Sequence, residues 1–187
     1  ELMFVRGRYG HGGRIGYEKE WRANKLESGG GELIDQGTHL IDIAIGLLGK
    51  LNLDYAATPN FYWDMSVEDN VFIALKNQIG KIAFLQASCT EWKNMFSLEI
   101  YGKNGKLDVN GLGRSYGIET LTYHKMLPEM GPPITESWQF DDPDNSWSIE
   151  VEEFARDIKN KSNFSNNLET SIEVLRIVNE IYFRTNR

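Results

Sequence analysis

One segment of the chain carries residue types that suit proton transfer. Residues 29–49 read GGGELIDQGTHLIDIAIGLLG, where Asp35, His39 and Asp42 recur at helical spacing. At 3.6 residues per turn, these side chains fall within an arc of about 60° and share one face. Because imidazole has a pKa of about 6.5, His39 is the candidate residue for reversible proton transfer at neutral pH. Asp35, one turn earlier, is placed to orient that ring or to bind a substrate hydroxyl.

A helix must position these groups, and the apolar residues of the same segment predict one. They lie opposite the polar stripe and are Leu33, Ile34, Leu40, Ile41, Ala44, Leu47 and Leu48. This amphipathic pattern predicts a regular helix that packs on a core and turns Asp35 and His39 towards water or a second domain. Gly37 falls on the packing side, where it allows close contact with a sheet. Asp42 lacks comparable support and is left outside the catalytic pair.

The long segment before this helix, residues 10–28, is rich in charged and aromatic residues. Loops of this length in compact domains are often binding elements. We predict substrate contacts from Tyr9, His11, Arg14 and Trp21, since a guanidinium matches phosphate or carboxylate and aromatic rings stack on sugar faces. If the arginines line a pocket, an anionic substrate is favoured over a neutral one. The alternative, with aromatic residues in the core and arginines in solvent, stays open.

The remaining elements predict an α+β fold with a largely antiparallel open sheet and helices packed on one face. Strands are expected at residues 2–9, 69–76, 81–88, 96–101, 106–109, 119–124 and 137–140, and further helices at 147–159 and 168–182. Asn104 and Gly105 suit the tight turn of a hairpin. Asn166 with Glu169 has the spacing of a helix capping box. The glycine-rich segment 111–117, GLGRSYG, is expected to be a loop at the sheet edge and has no assigned role.

Composition restricts the classes of partner. The 187 residues carry a formal net charge of −7 with a pI of about 5.1, which opposes nucleic-acid binding. The single cysteine forms no internal disulfide, and no apolar run reaches the roughly 20 residues of a membrane span. We therefore expect one cytoplasmic domain over residues 1–187, without nucleic-acid or membrane partners. Because the sequence opens on Glu1 followed by strand-like residues, it is expected to begin inside a longer polypeptide.

Four segments are distinctive: GGGELIDQGTHLIDIAIGLLG, VEDNVFIAL, KIAFLQASCTEW and FSLEIYGKNGKLDV. Together they resemble the carboxy-terminal domain of the Gfo/Idh/MocA family, over nearly the whole chain. The resemblance implies a two-domain NAD(P)-dependent oxidoreductase that acts on sugars, polyols or nucleotide sugars. The amino-terminal Rossmann domain, with the dinucleotide site and the lysine of a Glu-Lys-Pro motif, is absent from this chain. The sequence likewise has no G-x-G-x-x-G turn between a strand and a helix, so the chain alone is expected to be inactive.

By this resemblance, His39 and Asp35 would be the catalytic residues, together with the absent lysine. Gly30 and Gly31 would let the backbone approach NAD or NADP, which the Rossmann domain mainly binds. Family relatives assemble through the open sheet face, so a homodimer or homotetramer is expected. Apolar residues at alternate strand positions support such a surface and include Phe72, Ile82, Phe84, Phe96, Leu98 and Ile100. The competing expectation is that the helices at 147–159 and 168–182 cover the second face.

Two other functions are compatible with the sequence. One is a non-catalytic oligomerisation or ligand-binding domain. The other is a metal-dependent sugar lyase or isomerase, with ligands from Asp35, His39 and either His11 or His124. The sequence has no H-E-x-x-H pair and no cysteine cluster, so no metal site is predicted. Cys89, in a strand-like context, is expected to be a buried small hydrophobe.

Overall fold

An eight-stranded sheet runs through the computed structural model, which describes residues 1–161 and 168–186. The strands are β1 (Leu2–Gly10), β2 (Asn52–Ala57), β3 (Asn70–Lys76), β4 (Ile82–Ser88), β5 (Met95–Gly102), β6 (Gly105–Asn110), β7 (Glu119–Lys125) and β8 (Ile134–Phe140). The helices are α1 (Lys25–Ser28), α2 (Thr38–Leu48), α3 (Ser146–Asn160) and α4 (Leu168–Thr185). The predicted α+β class with an open, largely antiparallel sheet is confirmed.

The first strand of the chain lies in the middle of the sheet, whose strand order is β2-β3-β4-β1-β5-β6-β7-β8. β1 pairs in parallel with β4 and antiparallel with β5, and the other strand pairs described are antiparallel. Side chains alternate between the two faces along a strand. In β1, the residues Val5, Gly7 and Tyr9 therefore face the helices, while Arg6 and Arg8 face the open side. The central position of β1 places its last residues deep within the fold.

Helices α2 and α4 pack beside each other on one face of the sheet. Their buried residues are Leu40, Ile41, Ala44 and Leu48 from α2, and Val174, Ile177, Val178 and Ile181 from α4. Gly37 faces the sheet as predicted, because a Cβ there would lie 3.7 Å from Val71 Cγ1. Ile34 and Leu47 were expected on the packing side, but each is 36% exposed.

The segment that carries Asp35 and His39 is not one regular helix. Over Leu33–Gly37 the backbone forms a π-helical turn, in which the Thr38 N–H donates to the Leu33 carbonyl oxygen, five residues earlier. A π-turn holds an extra residue relative to an α-helical turn and is frequent at functional sites. The prediction of a uniform α-helix was therefore wrong at its first turn, and the angular positions of residues 33–37 change accordingly.

Three further features of the fold differ from the sequence prediction. Strand β2 and the short helix α1 were not predicted. The loop 111–117 was expected at the sheet edge, but it joins β6 to β7, which are both interior strands. Periodicity failed for β2 because polar and apolar residues alternate only over residues 52–55, and its pairing with β3 is a tertiary contact.

Helices α3 and α4 do not cover the second face of the sheet in the described part of the chain. α4 packs on the same face as α2. The apolar residues of α3 are exposed and include Trp147, Val151, Phe154 and Ile158. The predicted capping residue of α4, Asn166, lies outside the described residues. Among the helices that are described, none has the length and apolar character needed to cross a bilayer.

Candidate functional site

An open cleft of about 350 Å³ lies where β1 ends. Its lining is Tyr9, His11, Gly13, Arg14, Tyr17, Glu20, Arg22, Asp35, Gln36, His39 and Tyr116. Five of the predicted site residues meet here: Tyr9, His11, Arg14, Asp35 and His39. Tyr9 lies on β1, and His11 and Arg14 lie on the loop that follows it, residues 11–16, which we call the glycine loop. Asp35 lies on the π-turn and His39 at the start of α2. Elements far apart in the sequence thus build one polar cleft.

His39 stands exposed in this cleft, on the first turn of α2. Its ring centroid lies 6.1 Å from that of Tyr9. Asp35 faces the same space, but its Oδ2 lies 3.6 Å from Arg22 Nε. Among the described residues no hydrogen bond joins Asp35 to His39. The carboxylate is therefore available to a ligand and to Arg22, and in this structure it does not orient the imidazole.

His11 is fixed by contacts on both ring nitrogens. Its Nδ1 accepts a hydrogen bond from the Gly13 N–H at 2.9 Å, so the proton of the neutral ring resides on Nε2. That Nε2 lies 3.5 Å from Oε1 of Glu32, a carboxylate only 2% exposed. The ring of Tyr17, which is itself buried, meets the imidazole edge to face at 5.4 Å. His11 thus forms part of the cleft wall and holds the glycine loop in place.

Glu32 was not singled out from the sequence. The sequence did contain a signal, which is a glutamate inside the otherwise apolar and glycine-rich run GGGELI. Burying a charged side chain is strongly unfavourable unless it is paired, so such a residue indicates a buried partner. Its second oxygen, Oε2, is buried without a hydrogen-bond partner among the described residues.

Trp21 lies outside the cleft. It is 53% exposed, and the Arg22 guanidinium stacks on its ring at 4.5 Å from the centroid. Trp21 instead lines a second cavity of about 160 Å³, together with Gly30 and Gly31. Asp35 and Arg22 border both spaces, so the second cavity adjoins the cleft.

Close packing already requires the two predicted cofactor-binding glycines. A Cβ on Gly30 would lie 2.0 Å from the Tyr182 hydroxyl oxygen, and one on Gly31 would lie 2.1 Å from the Glu68 carbonyl oxygen. In both cases the added Cβ would clash with an atom of this chain rather than with a ligand. These contacts account for the two glycines without a ligand, and their contact with a cofactor stays a prediction.

Both arginines of the cleft are paired with carboxylates of the cleft. Arg14 Nε lies 2.8 Å from Glu20 Oε1, and Arg22 faces Asp35 as described above. The guanidinium charges are thus balanced locally before any ligand binds. The expectation that arginines line the pocket agrees with this geometry, but the free positive charge that would favour an anionic substrate does not follow from it.

Sequence reasoning missed Gln36 and Tyr116. The π-turn buries Gln36 at 5% exposure, and the glycine-rich loop 111–117 brings Tyr116 to the cleft. The rings of Tyr9 and Tyr116 meet edge to face with centroids 5.0 Å apart. Burial raises the pKa of Tyr9 to about 12 and also raises the pKa of Tyr116, so both phenols are protonated at neutral pH. The only sequence signal was a tyrosine within GLGRSYG.

The alternative metal ligands are not brought together. His124 lies on β7 at the open face of the sheet, where its Nε2 is 3.0 Å from Asp108 Oδ2. Within residues 1–161 and 168–186, no group of three or more His, Cys, Asp or Glu side chains is placed to hold a metal ion. Cys89 is fully buried, and this burial raises the pKa of its thiol, as suits a small core residue.

Comparison with known proteins identifies the architecture. A family model described as the GFO/IDH/MocA C-terminal domain matches residues 1–108. Levoglucosan dehydrogenase in complex with NADH and levoglucosan is similar with a TM-score of 0.82 and 18% identity, over 100% of this chain and 57% of that chain. An aldose-aldose oxidoreductase from Caulobacter crescentus, complexed with glycerol, has a TM-score of 0.75 and 21% identity, over 99% of this chain and 53% of that one.

A 3-ketoreductase from Actinomadura kijaniata, in complex with NADP and TDP-benzene, has a TM-score of 0.73 and 18% identity. That match covers 95% of this chain and 51% of the ketoreductase. The chain thus spans little more than half the length of these solved structures. At these identities the likeness establishes a shared fold. No curated protein sequence matches the chain.

Proposed function

This chain belongs to the Gfo/Idh/MocA family through its C-terminal domain, and on that basis we propose that residues 1–187 are the substrate-binding and catalytic half of an NAD(P)-dependent oxidoreductase. The complete enzyme would transfer hydride between a nicotinamide and a hydroxyl or keto carbon of a sugar, polyol or nucleotide sugar. The observation that carries this proposal is the exposed imidazole of His39 in a polar cleft shared with Asp35. The chain by itself would be inactive.

The residues of the cleft divide the work of alcohol oxidation. His39 takes the proton of the reacting hydroxyl, since its ring is open to the cleft. Asp35, held by Arg22, accepts a hydrogen bond from a neighbouring substrate hydroxyl. Tyr9 remains a neutral donor because burial raises its pKa to about 12.

The cavity beside the cleft suits the flat ring of a nicotinamide cofactor. It is lined by Trp21 and by Gly30 and Gly31, which have no side chains. When bound, the cofactor supplies the hydride acceptor. Its phosphates need a cradle of backbone N–H groups, which we assign to a Rossmann domain outside this chain.

Charge balance favours a neutral sugar or polyol over a nucleotide sugar. Arg14 and Arg22 are paired with Glu20 and Asp35, respectively. A phosphate or carboxylate would have to displace one of these carboxylates. Polyol hydroxyls can instead exchange hydrogen bonds with the paired groups without altering the net charge.

We further propose that the complete enzyme is a cytoplasmic homodimer or homotetramer built on the open sheet face. This face presents Tyr55, Phe72 and Phe84 around a shallow depression, and Phe84 is 54% exposed. Phe96 and Leu98, in contrast, are buried on the helix-covered face and are not available to a partner. Exposed aromatic clusters of this kind commonly mark protein interfaces.

The test of function uses the complete enzyme with its nucleotide-binding domain. Reduction of NAD and NADP is measured with glucose, xylose, myo-inositol and levoglucosan, for wild type, His39→Asn and Asp42→Asn. Loss of a general base should lower kcat by about 100-fold or more. Asp42 is an exposed residue on the same helix, outside the cleft lining, and serves as the matched control.

Two results would contradict the proposal. If His39→Asn matches Asp42→Asn in kcat, His39 is not the base. If the complete protein binds a sugar without reducing either cofactor, the non-catalytic ligand-binding alternative is correct.

A further inference from the structure

The loop 111–117 is built to hold Tyr116 over the cleft. Gly111 has a φ of +81°, and a Cβ there would lie 2.3 Å from the Ile118 carbonyl oxygen. The Gly111 N–H donates to the Phe96 carbonyl oxygen at 3.1 Å, and the side-chain amide of Asn94 donates to the Ser115 carbonyl oxygen at 3.1 Å. Both contacts tie the loop to β5 and to the segment just before it. They explain how a residue between β6 and β7 reaches the same space as β1 and α2.

Gln36 meets the Tyr116 hydroxyl from below the cleft surface. Its Nε2 donates to the Tyr116 Oη at 3.3 Å. Its Oε1 is buried and has no hydrogen-bond partner among the described residues. A buried amide oxygen without a donor is unfavourable, and an apolar side chain of similar size would avoid that cost. The polar side chain at this position therefore points to a role other than packing.

The hydrogen-bond roles of this pair define what Tyr116 can bind. Its oxygen accepts from Gln36, and its side chain also shares a hydrogen bond with Tyr9, so its O–H can donate either to Tyr9 or to a ligand in the cleft. Tyr116 meets the ring of Tyr9, and the ring of Tyr9 in turn faces His39. Tyr116 and the candidate base His39 therefore both contact the ring of Tyr9, within the same cleft.

We propose that Tyr116 is a substrate-binding residue that recognises a second, non-reacting hydroxyl of a neutral polyol, and that Gln36 is the positioning residue that aims its O–H. This inference rests on the proposed function and deepens it, since it makes a polyol with at least two hydroxyls the preferred substrate. Neither side chain carries charge, so the subsite gives no advantage to a carboxylate or phosphate. An alcohol with a single hydroxyl would lose this contact.

The experiment compares Tyr116→Phe, Gln36→Met and the double variant in the complete enzyme. The probe is the sugar of the panel above that wild type turns over best, together with its monodeoxy analogues. Each single variant should raise KM about 3- to 10-fold with a smaller change in kcat, because one hydrogen bond to bound substrate is lost. The double variant should resemble either single variant, since the two residues act on one contact. Tyr62→Phe, on an exposed loop, is the control and should match wild type.

Stability and the deoxy analogues separate a positioning role from a structural one. Gln36→Met should leave Tm unchanged or raise it, because a buried unpaired oxygen is removed. One monodeoxy analogue should show the raised KM with wild type and no further increase with Tyr116→Phe. Variants with the KM of wild type would overturn the subsite. A fall in Tm for Gln36→Met without a change in KM would assign Gln36 to packing and overturn its positioning role.

Failure of the parent proposal is recognised by a binding measurement. If the complete enzyme oxidises no sugar of the panel, calorimetric titration with the same sugars in the presence of NAD or NADP replaces turnover. Weaker binding by Tyr116→Phe than by Tyr62→Phe would retain the subsite while the oxidoreductase proposal falls. No binding of any panel sugar by wild type would overturn both.

Discussion

The Glu68 carboxylate accepts a hydrogen bond from the Tyr182 hydroxyl at 2.8 Å, which links α4 to the loop between β2 and β3. The same oxygen accepts the backbone N–H groups of Gly31 and Leu33 at 3.1 Å each. Glu68 is only 1% exposed, so all three donors compensate for its burial. The position of the turn that leads to His39 therefore depends on residues from three separate parts of the chain.

Removing one of these donors should destabilise the fold. Tyr182→Phe leaves the buried Glu68 oxygen with two donors instead of three, and we expect the free energy of unfolding to fall by about 1–3 kcal/mol. Urea denaturation followed by tryptophan fluorescence measures this change. The control Tyr62→Phe removes a hydroxyl from a residue that is 61% exposed and should stay within about 0.5 kcal/mol of wild type. Equal effects of the two variants would contradict the role of the Glu68–Tyr182 contact.

Two glycines near the cleft should respond to alanine in opposite directions. Gly31→Ala places a Cβ 2.1 Å from a backbone oxygen of Glu68, so the backbone must shift and a loss of about 3 kcal/mol or more is expected. Gly46 lies in α2, and a Cβ added there would meet no heavy atom within 4 Å, so Gly46→Ala should stabilise by about 0.5–1 kcal/mol. Thermal unfolding of both variants tests the pair. A neutral Gly31→Ala would show that the loop before the cleft is not held as described.

The charged network on the open sheet face should make stability depend on acid pH. A hydrogen bond from Arg6, with further ones from Lys106 and Tyr101, lowers the pKa of Glu99 to about 2. In the unfolded chain this pKa is about 4.3. The folded state therefore binds the proton of Glu99 less readily than the unfolded chain does. The contribution of Glu99 to the free energy of unfolding is present above about pH 4.3 and is lost as the pH falls towards 2.

Guanidinium denaturation midpoints between pH 2 and 6 measure this effect. The stability difference between wild type and Glu99→Gln should be largest at pH 5–6 and should shrink as the pH falls. Glu136→Gln, an exposed position on β8, provides the matched control. Parallel pH curves for wild type and Glu99→Gln would disprove the network.

Neutralising Arg14 should have little effect on a neutral substrate. Its guanidinium is 2.8 Å from Glu20, so Arg14→Gln removes the exposed half of this ion pair. With a neutral sugar in the complete enzyme, we expect KM to change less than about threefold. Steady-state kinetics with a neutral sugar and with its nucleotide-linked counterpart decide the question. A large rise in KM confined to the nucleotide sugar would favour the anionic substrate instead.

A charge placed on the aromatic patch should disrupt assembly. Phe84 forms this patch with Tyr55 and Phe72, and the patch would be buried against a second subunit. Phe84→Glu would bury an unpaired carboxylate in that interface, which is strongly unfavourable. Sedimentation velocity of the complete enzyme should show a shift to monomer. Ile15→Glu, at a fully exposed loop position, controls for added charge and should leave the assembly intact. A monomeric wild type at high concentration would contradict the proposed interface.

Local pattern was sufficient for most elements because their pairing partners are close in the sequence. The β3–β4 and β5–β6 hairpins join neighbouring strands through short turns, and alternation with turn residues such as Asn104 and Gly105 identifies them. The parallel pairing of β1 with β4 is different, since it brings together strands separated by α2 and two other strands. No periodic signal in β1 distinguishes a central from an edge position.

The sequence by itself determined the residue types of the candidate chemistry, the α+β class, the family and the helical proximity of Asp35 to His39. The residue types, the class and the spacing of Asp35 and His39 follow from patterns that act over a few residues, whereas the family follows from the resemblance of four longer segments. Only the tertiary structure decided that the arginines are paired with carboxylates, that Trp21 lies beside rather than within the cleft, and that Gln36 and Tyr116 belong to it. The reason is physical: one extra residue in the π-turn redirects Gln36, and hydrogen bonds to Phe96 in β5 and from Asn94 bring the β6–β7 loop to the cleft. Both depend on packing between distant segments rather than on any local pattern.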